Sequence, residues 1–197
     1  MKKLLHIGCG PKTILQIKGF DSSDWQEIRF DIDPSVKPDV IGTLTDMSAL
    51  ESDSVDAVFS SHNIEHLYPH EVPLALKEIF RVLKPSGFLL LTCPDIQSVS
   101  EMVAKDQLTE PLYNSAAGPI SAIDILYGHR GFIAQGNHFM AHRCGFTFKV
   151  LTGSIIAEGF KTIIGRRDQK NYALWVMAFK AENNEIDKDA LALQYFS

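Results

Sequence analysis

Lys3-Leu4-Leu5-His6-Ile7-Gly8-Cys9-Gly10-Pro11 is the stretch on which the reading of this chain turns. A mostly apolar run from Leu4 to Ile7 stops at two glycines. A short apolar run ended by glycine reads as a buried strand with a tight turn at its carboxyl end. Two glycines one residue apart leave the main chain bare, so another molecule can lie close against it. In an open α/β sheet, ligands bind beyond the carboxyl ends of the strands. A nucleotide-type site around Gly8 and Gly10 would need further walls, and the later segments offer them.

Working outward, the pattern repeats strand and crossover. Strands are predicted at Lys3–Ile7, Glu27–Phe30, Val40-Ile41, Val55–Ser60 and Phe88–Cys93. Short helical turns are predicted near Thr13–Ile17 and Ala49–Asp53. Between Pro69 and Leu83 the residues Val72, Leu76, Ile79, Phe80 and Leu83 recur at helical spacing and form one apolar face. Pro69 suits the first turn of that helix, and Pro85 and Gly87 end it. Repeated strand and crossover argue for a parallel sheet with right-handed connections. Residues 94–143 break this rhythm, with four glycines, Pro119 and two predicted helices, near 97–107 and 120–126. A long irregular insertion of this kind is commonly a lid or binding loop. A helix follows over Val150–Glu158, capped by Gly159. The strands Lys161–Gly165 and Tyr172–Lys180 are joined by a short polar link and so form an antiparallel pair. The tail, 181–197, reads as polar and then weakly amphipathic from Asp189 to Phe196.

The 197 residues, 45% hydrophobic and 22% charged, fit one globular domain spanning 1–197. A net charge of -5 argues against a nucleic-acid partner, which would call for a basic face. Cys9, Cys93 and Cys144 are far apart and match no zinc spacing, which suggests a reducing compartment. The start, Met1 to Cys9, has the outline of a lipoprotein signal. Its apolar part is only about four residues and contains His6, short of the roughly 7–15 that such a segment needs. No stretch approaches the roughly 18 apolar residues of a membrane span, so a cytoplasmic protein without a membrane partner is expected.

The acid that would complete a nucleoside site is Asp31, at the end of the second strand and 21 residues after Gly10. A carboxylate there can accept hydrogen bonds from both ribose hydroxyls. The dinucleotide fingerprint G-x-G-x-x-G is not met, since Thr13 holds the third glycine position, which counts against a nicotinamide enzyme. The ordered set of Leu5-His6-Ile7-Gly8-Cys9-Gly10, Phe30-Asp31-Ile32-Asp33-Pro34, Thr45-Asp46-Met47, the run Ser54 to Leu67 and the run Leu76 to Leu91 resembles class I S-adenosylmethionine-dependent methyltransferases. The resemblance covers about residues 3–95, and 140–180 more loosely. It implies a Rossmann-like α/β fold of three layers, with a doubly wound, mostly parallel seven-stranded sheet in order 3-2-1-4-5-7-6 and strand 7 antiparallel. It departs from the family at Lys12, where relatives carry a third glycine. Many relatives also have helices before the first strand that close over the cofactor. Without them an open site is expected, unless 94–143 or a second subunit in a homodimer covers it.

Carried over by position, the resemblance implies S-adenosyl-L-methionine as cofactor, with Gly8, Cys9 and Gly10 passing under its methionyl part. It implies that Asp31 takes the ribose hydroxyls and Ile32 lies against the adenine. Asp46 would accept the adenine amino group and the Met47 main chain would meet the ring; apart from the resemblance, Asp46 also reads as a helix cap. Ser61 and His62 would sit near the transferred methyl. Asp33 reads as a turn-former before Pro34.

Two other groups of residues carry chemistry. His62-Asn63-Ile64-Glu65-His66 matches the H-x-x-E-H pattern of inverted zinc peptidases. That pattern needs a helix interior and a further ligand, whereas here it directly follows a strand, so no metal ligands are assigned. A zinc hydrolase using His62, Glu65 and His66 stays as an alternative, beside a non-catalytic methyltransferase-like subunit. In the insertion, Tyr127, His129, His138 and His142 could line an acceptor pocket. His62, His138 or His142 could act as general base if the acceptor is a hydroxyl. The activity expected is methyl transfer to a small-molecule acceptor at O, N or C.

Overall fold

The structure is a computed structural model that describes residues 1–115, 117–182 and 187–196. Ala116, the predicted polar stretch at 183–186 and Ser197 lie outside the described residues. In chain order the elements are β1 (Lys2–Ile7), β2 (Trp25–Asp31), β3 (Val40–Ile41), β4 (Val55–Ser61), α1 (Val72–Val82) and β5 (Leu83–Pro94). Then follow α2 (Ile96–Val103), β6 (Pro111–Ser115), β7 (Gly118–Ser121), α3 (Ala122–Tyr127) and α4 (Arg130–Ala134). The chain ends with α5 (Phe148–Ala157), β8 (Thr162–Asp168), β9 (Ala173–Phe179) and α6 (Lys188–Tyr195).

Seven strands form one sheet in the order β3-β2-β1-β4-β5-β9-β8. Pairings from β3 to β5 are parallel, and β9 runs antiparallel to both β5 and β8. This is the expected order 3-2-1-4-5-7-6, because β6 and β7 pair only with each other in a separate hairpin. The sheet fixes the candidate site, since β1, β2 and β4 all end at one edge, beside Gly8, Asp31 and Ser61.

Side chains alternate across β1. Leu5 and Ile7 join the core under α1 and α5, while Leu4 joins a second core on the other face. That second core is covered by Ile14, Ile17 and Phe20 from the segment after β1, and by Tyr195 and Phe196 at the chain's end. The weakly amphipathic end of the tail is therefore part of the packed structure. Phe196 is 1% exposed, Tyr195 packs edge-on against Phe20 and Phe88, and the Phe196 carbonyl accepts a hydrogen bond from Lys18 Nζ. The apolar period of α6 is weak, and burial comes from its last turn alone, which a search for helical periodicity passes over.

Several boundaries differ from the sequence reading for identifiable reasons. Helix α1 starts at Val72, not Pro69, and it is Pro73 that stands in its first turn. A helix from Pro69 would need the amide of residue 73 for its first bond, and proline has none. Strand β5 reaches back to Leu83 and absorbs Pro85 and Gly87 through a shift of register against β4. The helical turn predicted at 49–53 is a plain turn. The insertion is more ordered than expected. It holds the β6–β7 hairpin and α4 besides α2 and α3, with the hairpin, α2 and α3 around a small core of Val99, Ile120, Ala122 and Ile125. Among the described residues, no helix is long and apolar enough to cross a membrane.

Candidate active site

The turn after β1 is built from main chain. Gly8 has φ +59° and Gly10 φ +51°, in the region where a side chain strains the backbone. The Gly8 and Cys9 amides donate to the Phe30 carbonyl on β2, and the Gly10 amide donates to Asp31 Oδ2 at 2.8 Å. Asp31 Oδ1 accepts from the Asp33 amide at 2.9 Å. Each carboxylate oxygen thus holds one main-chain donor and keeps a lone pair. Two charged residues that the sequence reading passed over support the turn from below. The Arg29 guanidinium donates to the carbonyls of Gly10, Val36 and Lys37, which ties the turn to the loop after β2. Glu27 takes His6 Nδ1 on one oxygen at 2.7 Å and the Ile14 amide on the other. Burial pushes the His6 imidazole below its ordinary range, against the pull of Glu27.

Asn63 was also missed. Its side-chain amide donates to the carbonyls of Ile7 and Ser61, both at 3.0 Å, and so locks the ends of β1 and β4 together. It also explains Gly8: a Cβ there would stand 1.8 Å from Asn63 Oδ1. The pattern H-x-x-E-H drew attention to its histidines, while nothing local marks an asparagine as a clamp between strands.

A cavity of about 490 Å³ opens over this edge of the sheet. Of the cofactor-binding residues expected from the sequence, Gly8, Gly10, Asp31, Ile32, Ser61 and His62 line it. Cys9, Asp46 and Met47 do not. The Cys9 side chain is buried beneath the turn, and burial raises its thiol. Asp46 is exposed and caps the next turn by accepting from the Ser48 amide; it faces a neighbouring hollow with Glu78 and Arg81. The Met47 amide donates to Glu78 and its carbonyl accepts from Arg81, so both are already engaged. Thr43, Leu44 and Thr45 line that end of the cavity instead.

The opposite end is walled by the insertion. Phe132, Asn137, Phe139, Met140 and Arg143 line it, together with His66 and Glu71 from the main fold. The four insertion residues singled out from sequence are not among them. Tyr127 points outward, His138 is exposed, and His129 caps α4 by accepting from the Phe132 amide. His142 is turned inward, with Nδ1 2.7 Å from the Ile125 carbonyl. The insertion does reach the cavity, but through Phe132, Phe139 and Met140 beside the predicted residues, together with Asn137 and Arg143. Arg143 lies over the Tyr68 ring at 4.7 Å.

His62 occupies a left-handed turn, φ 55°, directly after β4, so H-x-x-E-H does not lie on a helix interior. Only Ile64–His66 forms a single 3-10 turn. His62 is half-exposed, with Nδ1 3.3 Å from Glu65 Oε1, an ion-pair distance without hydrogen-bond alignment. Burial pushes the Glu65 carboxyl up, but His62, His66 and His142 outweigh it and hold the group below the ordinary glutamate range. Burial in turn lowers the His142 imidazole, against the attraction of Glu65.

The bare glycine turn and the free lone pairs of Asp31 fit the adenosyl and methionyl parts of S-adenosylmethionine. The cavity is also of the size of small-molecule sites. Comparison with known proteins agrees at the level of family and fold. Residues 5–91 match the model of the family described as "Methyltransferase domain". Among solved structures, a SAM-dependent methyltransferase from Archaeoglobus fulgidus is similar with TM-score 0.60 and 15% identity, over 90% of this chain and 85% of that one. One from Methanosarcina mazei gives TM-score 0.59 and 15% identity over 92% and 93%. A complex of the Haloferax volcanii Trm112 methyltransferase activator with a methyltransferase gives 0.55 and 12% over 94% and 84%. No curated protein matches. The resemblance read from the sequence holds at this level: residues 5–91 match a methyltransferase domain, and the chain has the fold of class I S-adenosylmethionine-dependent methyltransferases.

Proposed function

We propose that this class I methyltransferase domain is an active enzyme that moves the methyl group of S-adenosylmethionine to a small acceptor with an apolar body. The observation that carries this reading is one cavity with two unlike ends. One is bare main chain with a carboxylate at Asp31, and the other is a wall of Phe132, Phe139 and Met140. The cofactor supplies, when bound, a methyl group already activated on a sulfonium. Gly8 and Gly10 leave room for its amino-acid part, Asp31 takes the ribose hydroxyls on its two free lone pairs, and Ile32 lies against the base. Orientation of the acceptor is then the main task left to the protein, and well-aligned groups can gain roughly 7–11 kcal/mol this way. His62 lines the same cavity. With Nδ1 facing Glu65, its Nε2 is left as an acceptor that can take a proton from an acceptor hydroxyl. His138 and His142 do not line the cavity and are not assigned that role.

The test is calorimetric titration of the full chain with S-adenosylhomocysteine, beside its effect on the melting temperature. The wild type should bind one equivalent and melt higher. Asp31→Ala should lose most of that shift. No heat with the wild type would overturn the reading, and an equal shift in both proteins would remove Asp31 from the site.

A further inference from the structure

Behind the acceptor end of the cavity lies a polar cluster that methyl transfer does not use in full. Glu65 is 1% exposed, and neither of its carboxylate oxygens has a hydrogen-bond partner among the described residues. An ionised carboxylate held out of water without donors is costly and calls for a positive partner. Three imidazoles surround it: His62 Nδ1 stands 3.3 Å from Oε1 on the half-exposed side, and His66 and His142 lie on the inner side. His66 Nδ1 lies 3.1 Å from the Ala141 carbonyl and His142 Nδ1 lies 2.7 Å from the Ile125 carbonyl. A carbonyl only accepts, so each neutral ring carries its proton on Nδ1 and presents a bare Nε2. Metal-binding histidines are oriented in this same way, with the second nitrogen donating to a carbonyl.

The three groups converge. One ligand atom from each of Glu65, His66 and His142 lies within 4.8 Å of the others. The rings stand 4.9 Å apart at 65°, edge to face rather than stacked. Ligands at roughly 2.0–2.2 Å around a tetrahedral ion are separated by about 3.4 Å, so a small contraction closes the site. The scaffold is stiff, because the amides of Arg143 and Cys144 both donate to the Glu65 carbonyl and fasten the His142 segment to the 3-10 turn.

We propose that Glu65, His66 and His142 bind one divalent first-row transition-metal ion, of the class that includes zinc and cobalt. Two imidazoles and one carboxylate suit such ions and disfavour magnesium and calcium, which take oxygen ligands. Three protein ligands leave a coordination position open. Of the three ligands His66 alone lines the cavity, so water or an oxygen of the acceptor would reach such an ion from that side. The set differs from the peptidase pattern: the ligand from outside the 3-10 turn is His142, 77 residues beyond Glu65, and His62 remains free for proton transfer.

Tag-free, chelator-treated full-length protein titrated with Co²⁺ tests this. One equivalent should saturate the site and produce the visible absorption bands of a low-symmetry cobalt centre, which Zn²⁺ then abolishes. His142→Ala and Glu65→Gln should weaken binding by more than about 100-fold, beyond what second-layer changes do. His70→Ala, at an exposed histidine outside the cluster, should bind as the wild type does. Absence of saturable binding at one equivalent in the wild type, or a His142→Ala titration identical to it, would overturn the site. The wild-type spectrum decides alone if the variants fail to fold. Because the titration needs no S-adenosylhomocysteine, its outcome is read separately from that of the proposed methyl transfer.

Discussion

The two ends of the cavity are built in opposite ways. At the end formed by β1, β2 and β4, the cavity is lined by the glycine turn, the Asp31 carboxylate and residues of the loops after β2 and β3, with the turn held by strands whose register is fixed over several pairs. At the end formed by the insertion, the lining groups are large side chains on short elements, α4 and the 3-10 turn His138–Met140, neither of which has a buried residue of its own. A site made of main chain tolerates almost no substitution, because the backbone itself is the surface. A site made of side chains can change its occupant by changing residues without touching the fold. We expect the first end to fix the cofactor and the second to set the acceptor.

The largest effect should come from Gly8→Ala. The new Cβ would meet Asn63 Oδ1 at 1.8 Å and the backbone sits at φ +59°, so β1 and β4 could not both keep their ends in place. Binding of S-adenosylhomocysteine should vanish and the melting temperature should fall, as calorimetry and thermal unfolding would read. Gly10→Ala separates the two causes. Nothing lies within 4 Å of its Cβ, so only the backbone strain, about 1–2 kcal/mol, acts on stability. Gly10 lines the cavity, so the product's affinity should still drop. If Gly10→Ala binds as the wild type does, the bare main chain is not the resting place of the methionyl group.

At the other end, Phe139→Ala should fold normally, since Phe139 is 59% exposed. Once an acceptor is known, its KM should rise about tenfold, corresponding to roughly 1.5 kcal/mol of lost apolar contact, with S-adenosylhomocysteine binding unchanged. A loss of product binding instead would merge the two ends into one functional unit.

This contrast also explains what could be read from the sequence. The places of Gly8, Gly10 and Asp31 at the cavity edge were legible because they come from local backbone geometry and from position at a strand end, both of which leave marks in a linear pattern. The strand order followed from the family resemblance, and the antiparallel last pair from a short link. The insertion gave no such marks. Its histidines and tyrosine attracted attention by chemical type, yet three of them face solvent or cap a helix, while Phe132 and Phe139 reach the cavity. Which of several neighbouring side chains turns inward depends on how α3 and α4 pack, a tertiary property with no period. Asn63 was missed for the same reason, since it acts on Ile7, 56 positions away, and the weak amphipathic signal of Asp189–Phe196 did not show that the tail reaches back to Lys18, 178 positions from Phe196.

The smallest expected effect tests whether the insertion's packing, and not only its lining, sets the acceptor end. Asp124 is buried and receives donors from the Ser121 amide and hydroxyl and from the Arg130 guanidinium and amide, which joins the start of α3 to the start of α4. Although burial pushes its carboxyl up, the Arg130 guanidinium and the Ser121 donors outweigh it and hold the group far below the ordinary aspartate range. A carboxyl depressed in the folded state stabilises the fold above its unfolded value, and that contribution is lost as pH falls toward its folded value. The wild type should therefore lose stability as the pH drops below about 4, where unfolded aspartates take up protons. Asp124→Asn keeps the shape but not the charge, so it should melt lower at neutral pH and show a flatter decline through the acid range. Because α4 carries Phe132 to the cavity, acceptor KM should rise a few-fold, while S-adenosylhomocysteine affinity stays as in the wild type. An acid profile identical to the wild type's would mean that the pair on Asp124 does not hold the insertion. The acceptor wall would then owe its position to the Val99–Ile125 core alone.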